Sequence, residues 1–160
     1  MIVLPFPPPP LVVLGALQLV ADVRRREAGR SAHTSVGADL ERPWEPAACS
    51  GELGAAVWNW CADVAAWINH EYAWRPAQMI PPCWRSHPHI ARELPVLAVL
   101  RWQAEVAAGP ELVEEWNRYA FPMFGDRMVE RLGESTCRIG RHQDWPAESR
   151  YIAALDGPLG

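Results

Sequence analysis

The sequence predicts a mainly α-helical fold, a small bundle of about four helices joined by irregular, proline-rich connections. Three observations predict it. Apolar residues recur at spacings of three, four and seven, the period of an amphipathic helix. No stretch of useful length alternates apolar and polar residues, as a half-buried strand would. Glycine and proline punctuate the chain between the periodic stretches.

The elements follow in order. Pro7 to Pro10 form an extended polyproline lead. Leu11 to Ala28 reads as a helix stopped by Gly29, apolar in its first half and arginine-rich in its second. From Gly29 to Ala48 there is no periodicity, which marks a linker or long loop. Ser50 is placed to cap a long helix, with Glu52 in its first turn. Leu53, Val57, Trp60, Val64, Trp67 and Ile68 give that helix one apolar stripe, and it should end near Ala73. A further helix should start around Pro88, near Ser86 or His87, with Ile90, Leu94, Leu97, Val99, Leu100 and Val106 on its apolar face. Pro95 predicts a kink or a restart inside it. The next helix starts at Pro110 with Leu112, Val113, Trp116, Tyr119 and Ala120 on one face. Pro122 should interrupt it before Phe124, Met128 and Leu132 resume at spacing four, and Gly133 should end it. A short helix near 147–155 is also predicted. The organisation is therefore a lead, helix and flexible linker over 1–48, a helical domain over 49–146, and a tail or short helix over 147–160.

A chain of 160 residues, 49 % apolar, suits one domain with a real core. Its net charge of −4, with both signs interspersed, gives bulk nucleic-acid binding no support. All fifteen basic residues other than histidine are arginine, which points to a GC-rich bacterial source. Met1 to Ala21 carries no charge and is followed by Arg24, Arg25 and Arg26, an order that can serve a membrane anchor. The apolar run Leu11 to Val20 is too short to span a bilayer, and no cleavable leader pattern is present. A cytoplasmic protein with reduced thiols is expected, since the four cysteines form no dense disulfide framework.

Chemistry concentrates in two places. Cys83 and His87 form Cys-x3-His, and Cys137 and His142 form Cys-x4-His. Both pairs fall in irregular segments at helix ends, where side chains can converge. Together they make a Cys2His2 set, which zinc accepts as a closed tetrahedral site. The spacings match no standard finger, and His89 competes for the same place. Two other readings use the same residues: a Cys83–Cys137 disulfide, or a small buried Cys83 with His87 capping the next helix. A nucleophilic Cys83 with His87 or His142 as base is a further alternative, without any local hydrolase signature. No phosphate-binding glycine loop occurs. Trp60, Trp67 and Trp116 fall on apolar stripes and should be core. Trp44, Trp74, Trp84 and Trp145 lie in loops or at helix ends, where they can seal the core edge or anchor a partner. The run Arg24 to Arg26 can meet phosphate or simply complement a helix end.

The segments "PPCWRSHPHIAREL", "LRWQAE", "EEWNRYAFPMF" and "CRIGRH" resemble a family of small actinobacterial proteins of unknown function, found in plasmids, integrative elements and phages. The resemblance runs from Trp58 to Trp145 and is carried by Cys83, Trp84, His87, Pro88, Leu94, Trp102, Trp116, Cys137 and His142. In many members the first cysteine stands several residues earlier, an acidic residue replaces His89, and Gly-Pro-Phe precedes the late cysteine where this chain has Gly133-Glu134-Ser135. The resemblance implies a source and a context, and no activity.

The reading these observations support is a non-enzymatic accessory protein of a mobile element that binds a protein or nucleic-acid partner. Trp84, Trp145 and Arg24, Arg25 and Arg26 are its candidate contact residues, and Cys83, His87, Cys137 and His142 its candidate zinc ligands. A small cysteine- or metal-dependent enzyme and a membrane-tethered part of a DNA-transfer apparatus are the alternatives.

Overall fold

A computed structural model describes residues 3–28, 40–139, 141–144, 147 and 151–152. Among them there is no strand. The architecture is a mainly α bundle, as the periodicity predicts. Its helices are α1 (Leu11–Ala28), α2 (Gly51–Glu71), α3 (Pro88–Glu105), and α4 (Glu111–Glu115), which passes through a π-helical turn (Trp116–Ala120) into α5 (Phe121–Leu132).

The long central helix α2 forms because its apolar residues share one face. Leu53, Val57, Trp60, Val64, Trp67 and Ile68 are all buried. Ser50 stands at the N-cap position, but its hydroxyl makes no capping bond. Gly54 lets α2 approach the preceding 3-10 turn (Pro46–Ala48), where an added Cβ would lie 3.1 Å from the Pro46 carbonyl oxygen.

The N-terminal segment belongs to the same core. Phe6 is buried and meets Trp60 and Trp67 edge-on, at centroid distances of 6.3 and 5.1 Å. The Trp60 indole N–H donates to the Pro7 carbonyl at 2.9 Å, and Trp67 donates to the Leu4 carbonyl at 3.0 Å. Val13 and Val20 turn α1 onto the bundle. No helix among the described residues is long and apolar enough to cross a membrane.

Helix α3 continues across Pro95 without a restart. It returns as an antiparallel hairpin into α4–α5. The buried Trp116 indole N–H donates to the Leu97 carbonyl at 3.1 Å, and Glu93 bridges Arg127 and Arg131 at 2.7 and 2.6 Å. Burial raises the Glu93 carboxyl, but the two guanidiniums outweigh it and hold it below the usual carboxylate range. Arg101 lies under three aromatic faces, 5.3 Å from Phe6, 5.6 Å from Trp67 and 5.8 Å from Trp116, and pairs with Glu105. It thus joins the N-terminal segment, α2, α3 and the π turn.

Pro122 does not break the last helix. It has no N–H to give the Arg118 carbonyl, and the chain widens there, with the Phe121 N–H bonding the Trp116 carbonyl five residues back. The widening also resets the face. Eight residues of α-helix overshoot two turns by about 80°, and the π turn absorbs roughly that much. Trp116 and Phe124 therefore both reach the core. Leu100, Val106, Leu112 and Tyr119 do not, although the spacing places all four on apolar faces; they are 42, 60, 44 and 55 % exposed. Gly133, at φ 52°, ends α5 as expected.

Candidate metal centre

The first half of the site is built by prolines. After Pro81-Pro82, a 3-10 turn (Trp84–Ser86) brings residues four apart together, with the Ser86 N–H on the Cys83 carbonyl and the His87 N–H on the Trp84 carbonyl. Trp84 anchors the turn. It is 4 % exposed and packs 5.6 Å from the Trp58 ring. Trp84 is therefore not an exposed contact residue; it seals the core edge. His87 stands at the N-cap position of α3, with Pro88 following, but it makes no side-chain cap bond. Its Nε2 instead faces the Cys83 sulfur at 3.4 Å. The capping role is thus overturned: the ring contacts the Cys83 sulfur and makes no bond to the helix's free N–H groups.

The second half is a closed loop after α5. Thr136 Oγ1 donates to the Arg141 carbonyl, the Arg141 N–H returns to the Thr136 carbonyl, and Gln143 Oε1 accepts from the Thr136 N–H. Inside it sits the fully buried Cys137, whose sulfur accepts the Gln143 backbone N–H at 3.2 Å and lies 3.9 Å from His142 Nδ1.

The two halves meet. One ligand atom from each of Cys83, His87, Cys137 and His142 lies within 4.8 Å of every other. The His87 and His142 rings are 5.6 Å apart. Zinc holds sulfur at about 2.3 Å and nitrogen at about 2.0–2.1 Å, which in a tetrahedron spaces ligand atoms about 3.3–3.8 Å apart. The two within-pair separations, 3.4 and 3.9 Å, fall at or close to that range. The four residues can hold a metal ion. His89 stands beside the set, its ring 6.0 Å from that of His87.

The electrostatics point the same way. Burial, then the hydrogen bond and charge of Cys137, push the Cys83 thiol up to about 11. A cation bound beside the Cys83 sulfur would oppose that rise and favour the ligating thiolate. The same rise opposes a nucleophilic Cys83, which would need its thiolate near neutral pH. Burial and the neighbouring His142 hold His87 below the ordinary histidine range, so its imidazole is neutral and able to ligate. When Nε2 ligates a metal, the ring proton is on Nδ1, which here is buried and has no hydrogen-bond partner.

Asp144 is a residue that the sequence reading missed. Its Oδ1 lies 3.3 Å from His142 Nε2, the nitrogen turned away from Cys137. A carboxylate behind a ligating histidine fixes its ring and strengthens it as a donor. An acid two positions after His142 was the available signal.

The other two cysteines stand apart. Cys61 is buried on α2, where burial pushes its thiol up to about 12. The Cys49 sulfur donates to the Arg42 carbonyl. All four cysteines are free, so the Cys83–Cys137 disulfide is not formed. Of the candidate contact residues, Arg24, Arg25 and Arg26 are exposed, Arg25 paired with Asp22 and Arg24 lying over the Trp44 ring. Trp145 lies outside the described residues, as does most of the predicted 147–155 helix. Comparison with family models, curated proteins and solved structures returns no match.

Proposed function

We propose that this chain is a non-enzymatic binding protein whose Cys83, His87, Cys137 and His142 hold a structural zinc ion. The observation that carries the reading is the convergence of two distant Cys-His pairs on one small volume. Four protein donors leave no open coordination position, the mark of a structural rather than a catalytic zinc. The ion would tie the start of α3 to the segment after α5, which α-helical hydrogen bonds alone do not connect. Zinc analysis of the purified protein tests this. The wild type should carry about one zinc per chain and Cys137→Ser should lose it; a wild type purified without metal, and unable to take it up, sinks the reading.

The wider role we propose is that of an accessory protein of an actinobacterial mobile element. The family resemblance supports the context, and the exposed Arg24 to Arg26 run supports contact with a partner. If the partner is a nucleic acid, affinity should fall with rising salt and with neutralisation of that run.

A further inference from the structure

The four ligands are not equally buried. His87 and Cys137 are buried, Cys83 is half-buried and His142 is exposed. The set is thus closed on its inner side and open to solvent at Cys83 and His142. Its two sulfurs come from opposite ends of the α3–α5 hairpin and lie within 4.8 Å of each other. Neither cysteine stands in an α-helix. Cys83 precedes the 3-10 turn Trp84–Ser86, and Cys137 lies in a second 3-10 turn (Thr136–Ile139). A disulfide holds its sulfurs at about 2.05 Å, so the closing movement falls on side-chain rotation and on two short turns. The other two thiols are engaged elsewhere: Cys61 is fully buried on α2, and Cys49 donates to the Arg42 carbonyl. Cys83 and Cys137 are therefore the pair placed to join.

We propose that the site is a redox switch, in which a peroxide oxidises Cys83 and Cys137 to a disulfide and expels the zinc ion. The inference rests on the zinc reading above. Bound to zinc, both sulfurs are thiolates. Cys83, on the open side, attacks one peroxide oxygen. The O–O bond breaks, hydroxide leaves, and Cys83 carries a sulfenic acid. The Cys137 thiolate beside it then attacks the Cys83 sulfur, the S–O bond breaks, and a second hydroxide leaves. The two sulfurs together give up two electrons and the peroxide takes them. Both hydroxides draw protons from solvent and become water. Zinc keeps only His87 and His142 as donors, too few for its tetrahedral shell, and departs. The disulfide still joins the start of α3 to the segment after α5, but it releases both histidines. Oxidation thus alters the open side of the site while the bundle stays folded.

The experiment treats the zinc-loaded full chain with hydrogen peroxide. A chromophoric chelator follows zinc release, while alkylation and peptide mass spectrometry count and map the thiols. Free zinc and disulfide should rise together, to about one of each per chain. The disulfide should join Cys83 to Cys137, with Cys49 and Cys61 still open to alkylation once the chain is unfolded. The helical circular dichroism should persist, and dithiothreitol with added zinc should restore the loaded state. A loaded chain that keeps its zinc, at a peroxide dose that fully oxidises free cysteine, overturns the inference. So does zinc release with Cys83 or Cys137 recovered as sulfinic acid, or paired with Cys49 or Cys61. Release that comes only with loss of the helical signal overturns it too. Each of these results leaves the metal site standing as a structural one. A chain that holds no zinc before peroxide is added fails the zinc reading itself, and this inference with it.

Discussion

His142 illustrates how one side chain is placed for coordination. Its Nδ1 turns toward the Cys137 sulfur, and its Nε2 toward Asp144, so each ring nitrogen has one task. If Asp144 orients the ring, Asp144→Asn should keep the fold but weaken zinc binding about 10- to 100-fold in a chelator competition titration. Unchanged affinity would show that the contact is incidental. At this scale, the sequence exposes a residue's neighbours along the chain and little else. Cys83 and His87 are four apart in a proline-framed turn, so their meeting was legible. That His87 turns its ring to Cys83 rather than to the helix start was not, because cap position and metal ligation use the same backbone geometry. Trp84 shows the same limit. A tryptophan in a loop can face either way, and here Trp58 provides a buried ring to pack on.

The helices were the most legible level, since burial of one stripe sets both the period and the face. α1 spans the predicted Leu11 to Ala28, and all six residues of the α2 stripe are buried. Proline was harder to read. A proline inside a helix removes one donor, but whether the chain breaks, or widens by one residue as it does before Pro122, depends on what neighbouring helices gain. Here the gain is Trp116, which the π turn lets reach the core, as Phe124 does, and the Leu97 carbonyl. Trp116→Ala should therefore destabilise the protein by about 3–5 kcal/mol in denaturant unfolding. Tyr119→Ala, three residues on but 55 % exposed, should cost only about 0.5 kcal/mol. Equal costs would contradict the assignment of these two residues to opposite sides of the π turn.

At the scale of the molecule, long-range partners decide the structure. One core runs from Phe6 through α2 and α3 to Cys137. The N-terminal segment joins it because the carbonyls of Pro7 and Leu4 accept from indole N–H groups 53 and 63 residues away. Nothing local in the lead announces those partners. The metal centre has the same character: its halves lie on either side of α3, α4 and α5, and only the antiparallel return of that hairpin brings them together. The Cys2His2 composition was readable, while the convergence was a property of the fold. Zinc-edge X-ray absorption on the purified, metal-loaded protein reads the ligand set itself. A Cys83, His87, Cys137 and His142 site gives a first shell of two sulfurs at about 2.3 Å and two nitrogens at about 2.0–2.1 Å. A shell of nitrogen and oxygen alone would contradict it.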